Sequence, residues 1–440
     1  MNETLRRRKL LIVGLTLFSM FFGAGNLIFP PFLAVQAGTS VGPALLGFLV
    51  SAVGLPVLGV IAVSRAGGLD FLAGKVHPVF SKVFTVLIYL SIGPCLAIPR
   101  TASTSFEMTV LPVLGEEGAG IWQIVYSVVF FLIAAFLAFN PEKLTERLGK
   151  LLCPTLLGLI FVMFVGSLFA AGKVSPAPAA DYIRFPFVKG FLEGYQTMDA
   201  IAALNFGIII PLNIKAIGIE REEEVIGSTI KSGLITGIFL TAVYCTLAYI
   251  GIKAGSDAQI LDNGAKVLTF MAEKIFGPVG VGILGVLFFI ACLNTCVGLL
   301  SCCSEFFCQL LPSVKYRVWV FLFAAVSLVV SNAGLTRILA FSVPLLNGIY
   351  PIAMILIFLS FFRRGTESMY RLSILLTGIV SVVYALEGAG LKIPVAADVF
   401  SLLPGYSLGL GWIFPGFIGA VLGRIFTGIE KKEDTGKRLG

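Results

Sequence analysis

Phe18-Ser19-Met20-Phe21-Phe22-Gly23-Ala24-Gly25-Asn26-Leu27-Ile28-Phe29-Pro30-Pro31 lies inside the first long apolar run of the chain. Two glycines and an asparagine fall near the middle of that run, and two prolines follow one turn later. Gly lowers helix propensity by about 1 kcal/mol relative to Ala, and Pro removes a backbone donor. Together these residues predict an unwound segment flanked by two half-helices; a kinked helix packed through its glycines is the simpler alternative. Unsatisfied backbone in hydrocarbon is expensive, so function in such a chain is sought where the helix rules are broken at membrane depth.

The rest of the sequence sets that run in a membrane. Of 440 residues, 57% are hydrophobic and 13% charged, about half the usual charged share of roughly 25% in soluble proteins. Mean hydropathy is +0.98. Runs of about 20 apolar residues, each long enough to cross a bilayer core, recur along the whole length. Twelve helical segments are predicted, at 10–37, 41–64, 78–106, 119–140, 145–171, 186–218, 224–252, 277–311, 316–331, 336–361, 370–387 and 403–426. Turn and charge signals mark the breaks, as in Asn140-Pro141-Glu142-Lys143 and Phe362-Arg363-Arg364-Gly365. The gaps at 172–185 and 253–276 read as loops, and no soluble domain fits anywhere.

The net charge of +8 reflects loop asymmetry and not nucleic-acid binding. One side holds Arg6 to Lys9, Arg65, Lys75, Lys82, Lys143, Arg147, Lys150, Lys215, Arg221, Lys231, Lys315, Arg317, Arg363, Arg364, Arg371 and five in the tail. That is 23 of 32, against 9 on the other side. Both termini of the multi-pass chain are then expected in the cytoplasm. Arg6 to Lys9 before an apolar run also resembles a signal peptide, but the run continues into a second hydrophobic segment without a polar mature start. The eight cysteines read as small apolar fillers.

A second break is predicted in Gly194-Tyr195-Gln196-Thr197-Met198-Asp199-Ala200-Ile201-Ala202-Ala203-Leu204-Asn205-Phe206-Gly207, within the sixth segment. Asp199 is the one acidic residue that the span map leaves near a midplane. A charge there costs about 2.5–3.5 kcal/mol on insertion scales, so a functional role is the default expectation. An N-cap for a restarted half-helix is the local alternative, and the two are compatible. Breaks in spans one and six, five helices apart, point to an inverted-repeat transporter with a midplane site. Half-helix N-termini then face an anionic group and freed carbonyls a cation, which favours a zwitterionic amino acid plus a small cation.

An embedded enzyme would need a nucleophile and a base; the lone His77 sits in a loop without an evident partner. A channel would need repeated pore-lining rings, which the chain does not offer. Glu220-Arg221-Glu222-Glu223-Glu224 and the tail from Glu430 to Arg438 read as solvated mixed-charge runs.

The first motif closely resembles the first-helix motif of bacterial branched-chain amino acid carriers, the LIVCS (BrnQ) family. Gly190-Phe191-Leu192-Glu193-Gly194-Tyr195-Gln196-Thr197-Met198-Asp199 and Ala291-Cys292-Leu293-Asn294-Thr295-Cys296-Val297-Gly298-Leu299 support the resemblance, which extends over essentially the whole chain. It implies an all-α, LeuT-like fold: one transport domain over 1–440, with repeats at 10–171 and 186–361, two added helices at 370–426 and a tail at 427–440. It also implies symport of leucine, isoleucine or valine with sodium, or in some accounts with protons; another apolar amino acid such as methionine is the alternative cargo. The implied partners are that small substrate and the bilayer, with no resident cofactor.

Carried over by position, Ala24, Gly25 and Asn26 meet the substrate carboxylate through backbone donors. Thr197, Met198 and Asp199 lie near the substrate, with Asp199 a candidate for its ammonium and Thr197 for a second cation. Carbonyls of Ser19, Phe22 and Ala291, with side-chain oxygens of Asn294 and Thr295, form the implied cation site. The family pattern has consecutive hydroxyls at the last two positions, and this chain has Asn294 first. Phe21, Phe22 and Met198 are candidate pocket walls.

Overall fold

The computed structural model describes residues 3–115, 118–140, 153–169, 176–259, 261, 263–362, 365–391 and 399–439. The expected break at Asn140-Pro141-Glu142-Lys143, with Arg147 and Lys150, falls outside the described residues after Asn140, as do Arg363 and Arg364. Among the described residues there are helices and no strand.

The chain runs through α1 (Glu3–Phe21), α2 (Ala24–Ala37), α3 (Val41–Leu49), α4 (Leu55–Ala66), α5 (Leu69–Gly74) and α6 (Pro78–Leu90). Next come α7 (Ala97–Thr109), α8 (Leu111–Leu114), α9 (Ala119–Ala138), α10 (Cys153–Phe169), α11 (Ala180–Arg184), α12 (Pro186–Tyr195) and α13 (Asp199–Ala216). The remainder are α14 (Glu222–Ala254), α15 (Gly264–Phe276), α16 (Pro278–Leu310), α17 (Tyr316–Ser331), α18 (Leu335–Ser360), α19 (Glu367–Gly388) and α20 (Ile413–Leu439). Seven helical runs are long and apolar enough to cross a membrane, or eight with the bent pair of α13. With α1 and three shorter apolar helices, Cys153–Phe169, Tyr316–Ser331 and Ile413–Thr427, every expected segment has a helical counterpart.

Several expectations are corrected. Residues 253–276 are not a loop: Asn263 Oδ1 accepts from Lys266 N at 3.0 Å and starts the 13-residue α15. Glu222, Glu223 and Glu224 are the first turn of α14, where negative charge complements the helix dipole. The last span begins at Ile413 and not at 403, because Gly405 and Gly409 turn the backbone with φ of 76° and 75°. Pro30 and Pro31 do not break the first span. They sit inside α2, and the interruption is the two residues Phe22 and Gly23 before it.

Met1–Ile61 with Tyr89–Ile338 make one compact unit, and Ala62–Ile88 with Leu339–Gly440 make another. In the second unit α19 packs against α20. A Cβ on Gly419 or Gly423 would come within 2.6 or 2.4 Å of the backbone of Ser373 or Met369, so small residues permit that approach. In the first unit α12 lies on α3 by the same device. A Cβ on Gly190 would sit 1.9 Å from the Ala44 carbonyl oxygen, and one on Gly47 2.0 Å from that of Phe187. Around this pair α1 packs on α13, α14 and α16, and α7 packs on α16. Three interrupted spans thereby converge in one unit.

Candidate functional site

At the first interruption Phe22 N still donates to Phe18 O at 2.8 Å, closing α1. Gly23 then takes an extended conformation (φ −115°, ψ −162°). Its N–H, whose helical acceptor would have been Ser19 O, donates instead to Asn26 Oδ1 at 3.1 Å. Two things follow. The Ser19 carbonyl is released from the helix ladder, and Ala24, Gly25 and Asn26 become a first helical turn whose amides have no intrahelical acceptor.

At the second interruption Thr197 N donates to Gly194 O and Met198 N to Tyr195 O, at 3.3 and 2.9 Å. Met198 has φ of 66°, the one non-glycine with positive φ among the described residues. The left-handed region is costly for such a side chain, and here it reverses the chain sharply enough to restart α13 at once. Met198 holds the N-cap position without a side-chain cap, and Asp199, expected as a cap, is the first residue of α13: its N–H donates to Thr197 Oγ1 at 3.4 Å, while that hydroxyl donates to Gly194 O at 2.9 Å. Farther along, α13 bends by 45° after Gly207, where Pro211 lacks the donor for that carbonyl.

The Asp199 carboxylate does not cap its own helix and is used between the breaks. Its Oδ2 accepts from Asn26 Nδ2 at 2.5 Å and from the Tyr244 hydroxyl at 3.2 Å. Asn26 Nδ2 also donates to the Tyr244 oxygen. All three residues are buried. Asn26 therefore holds its own half-helix through Oδ1 and the other interruption through Nδ2, a two-ended clamp.

A third interruption was not anticipated. Span three unwinds around Gly93 (φ −75°, ψ −123°) and Pro94 before α7 begins. A Cβ on Gly93 would touch Cys303 Sγ at 2.8 Å, so the loosened turn lies directly on α16. One turn into α7 stands Arg100, among the nine charges counted to the less basic side, yet only 6% exposed. Both Nη1 and Nη2 donate to Gln196 O at 3.2 Å, a carbonyl freed by the second break. A Cβ on Gly25 would meet Nη2 at 2.4 Å. Arg100 thus lies against both interruptions, and with Thr101, Thr197, Asp199 and Thr295 it lines a cavity of about 40 Å³. The other walls are mainly apolar, among them Met20, Phe21, Ile92, Met198, Ala202 and Leu299.

Comparison with known proteins settles the chain's lineage. The model of the family described as "Branched-chain amino acid transport protein" matches residues 6–430. The chain belongs to this family. The branched-chain amino acid permease BraB of Bacillus subtilis (strain 168) is 39% identical over 434 residues, covering 97% of each chain. BrnQ of the same organism is 40% identical over 438 residues, 97% of this chain and 98% of its own. The branched-chain amino acid transport system 2 carrier protein of Pseudomonas aeruginosa is 40% identical over 420 residues, 94% of each. Among solved structures, the nucleobase-cation-symport-1 family transporter Mhp1 superposes with TM-score 0.59 at 13% identity, covering 94% and 91% of the two chains. MhsT in complex with L-phenylalanine gives 0.56 at 14% identity, covering 94% and 97%. At those identities the likeness is one of fold, and it is the LeuT-like fold that the family resemblance implies.

This member of the branched-chain family is therefore a transporter and not an enzyme. Its structure brings Ala24, Gly25, Asn26, Thr197, Met198 and Asp199 around one cavity. Of the residues expected to hold a cation, Thr295 reaches the same place: a Cβ on Gly23 would lie 2.8 Å from its Oγ1. Ser19 Oγ, Thr295 Oγ1 and both amide atoms of Asn294 are buried without a hydrogen-bond partner. Ser19, Phe22, Ala291 and Asn294 do not line the cavity. The Phe22 ring turns away to stack on Phe18, with centroids 5.2 Å apart, so only its carbonyl is left for a cation and its role as a pocket wall lapses. Phe21 and Met198 keep theirs. Thr197, expected near a second cation, has its hydroxyl between Gly194 O and the Asp199 amide. Arg100 and Tyr244 were missed, though a basic residue inside span three was a visible exception to the cost of intramembrane charge.

Proposed function

We propose that this transporter imports leucine, isoleucine and valine by symport with sodium, alternating access around the cavity between the breaks. The observation that carries the reading is the pairing, at one small apolar-walled cavity, of the amino end of α2 with the carboxylate of Asp199. A zwitterion has a charge for each: its carboxylate meets the amides of Ala24, Gly25 and Asn26, and its ammonium meets Asp199 and the carbonyls around Thr197 and Met198. The apolar walls suit an aliphatic side chain. The names of the Bacillus and Pseudomonas relatives support the same cargo.

For the coupling ion, what supports sodium over protons is the set of unsatisfied oxygens: Ser19 O released at the first break, Thr295 Oγ1 beside Gly23, and Asn294. Hard cations take oxygen ligands of this kind. Asp199, already held by two donors, is then left to the substrate. The excess of basic residues on the N-terminal side supports cytoplasmic termini, and the Bacillus and Pseudomonas relatives support the inner membrane of a bacterium.

Uptake of labelled leucine into proteoliposomes, under an inward sodium gradient alone or an inward proton gradient alone, tests this. Accumulation above equilibrium is expected with sodium. Accumulation with protons alone overturns the sodium assignment, and none under either gradient, with protein shown to be folded, overturns the cargo.

A further inference from the structure

Arg100 is the charged group at this cavity that neither the sequence motifs nor the family description accounts for. We propose that its guanidinium is the receptor for the substrate's α-carboxylate, and so the residue by which the carrier distinguishes a free amino acid from its uncharged-carboxyl derivatives. The proposal rests on the functional reading above and adds to it the partner of one end of the substrate.

The argument is geometric. Arg100 is buried inside the first unit and lines the cavity. Its side chain is oriented by two bonds to one acceptor, Gln196 O, at 3.2 Å each, which fixes the guanidinium between the two unwound segments. The opposite constraint comes from α2: Nη2 stands 2.4 Å from where a Gly25 Cβ would be, so the first turn of α2 and the guanidinium meet with no side chain between them. Helix amides and a guanidinium pointing at one place form a receptor for a planar anion. Nη1 and Nη2 each keep an N–H beyond the one given to Gln196 O, so a carboxylate can set one oxygen on the guanidinium and the other on the amides.

An inorganic anion would satisfy the same donors but would leave the rest of the cavity unexplained. Asp199 lines that cavity too, and its carboxylate would repel an anion that fills it. A zwitterion avoids the conflict, with its negative end at Arg100 and its positive end toward Asp199. Gly25 acquires a reason of its own in this arrangement. It serves the helix break, and it also leaves room for the guanidinium.

The test is competition against labelled leucine by leucine and by leucinamide, which keeps the ammonium and side chain but replaces the carboxylate with a neutral amide. Purified full-length protein is compared as wild type, Arg100→Gln and Arg100→Lys. Wild type is expected to favour leucine by about 100-fold, the scale of a buried hydrogen bond between two charged groups. Arg100→Gln is expected to weaken leucine while leaving leucinamide nearly unchanged, so that the ratio falls toward one. Arg100→Lys keeps the charge but loses the fork, and the ratio is expected to fall about tenfold. It carries the test if the Gln variant does not survive purification.

A ratio that stays at the wild-type value in either variant overturns the inference. So does a parallel loss of leucine and leucinamide in Arg100→Gln, because that is the signature of a side chain that only braces Gln196. Wild-type protein that ignores both compounds overturns the functional reading and this inference with it.

Discussion

Asn26, Asp199 and Tyr244 show what a single buried carboxylate does when it is not spent on its own helix end. Met198 holds the N-cap position of α13, and Asp199 Oδ2 accepts from Asn26 and Tyr244. Asp199→Asn keeps the size and one acceptor oxygen, so folding should persist while the charge is lost. Hydrogen bonds to charged groups are worth about 1.5–3 kcal/mol, and leucine uptake is expected to drop about 10- to 100-fold. Proteoliposome uptake, with melting in detergent as control, measures this. Tyr244→Phe removes one donor to Asp199 and one acceptor for Asn26, a stability cost of about 1–3 kcal/mol. Its expected signature is the reverse: a lower melting temperature with preference among cargo retained. Gly25→Ala forces a methyl against the Arg100 guanidinium at 2.4 Å and the Phe29 ring at 3.2 Å. Both are ends of side chains, so uptake should fall well before melting temperature does.

At the scale of elements, the α3–α12 crossing holds the second interruption in place, and it depends on the absence of side chains. Gly190→Ala puts a Cβ 1.9 Å from the Ala44 carbonyl, an approach that only backbone movement relieves. Overpacking of this kind costs about 1–3 kcal/mol, and a lower melting temperature in detergent is expected. Gly42→Ala, on the same α3 with nothing within 4 Å, is the matched control and should be neutral.

Hydropathy alone made the helices legible, and the first two breaks were legible because Gly23-Ala24-Gly25-Asn26 and Asp199 violate membrane rules in plain view. The break at Gly93-Pro94 was equally written in the sequence. It was lost because Gly and Pro are common in membrane helices and a kink there does not by itself mark a site. Arg100 was lost by arithmetic, since a basic residue near a predicted span end is counted to a loop. Helix α15 was lost because its 13 residues, with Lys266, Glu273 and Lys274, are too short and too charged for a span. The Tyr244 contact was not legible at all. It joins positions 45 and 218 residues apart in sequence, and no local pattern encodes such a pair.

For the whole molecule, the consequential statement is which surface faces which compartment. By the positive-inside rule the loop-charge count predicts a cytoplasmic α5 and an external segment around α11. Phe71 on α5 is 71% exposed, and the Asp181 side chain on α11 is 70% exposed. Cysteines introduced singly at these positions should react differently with an impermeant maleimide added to intact cells. Asp181→Cys is expected to label above the wild-type background, and Phe71→Cys only after the cells are opened. The opposite pattern reverses the orientation.

The end of α2 remote from the cavity is laced to its surroundings. Gln36 O accepts from Ala179 N at 2.8 Å, Gln36 Nε2 donates to Gln259 O at 3.1 Å, and Gln259 Nε2 returns to Ala177 O at 2.9 Å. A Cβ on Gly264, where α15 starts, would fall 1.7 Å from Ile28 O. The α2 rod is therefore the shaft of a gauge: its tip lines the cavity, and its butt is tied to surface segments by hydrogen bonds. Any tilt provoked at the tip is written on those segments, and a dye on α15 becomes a needle that reads occupancy without entering the site.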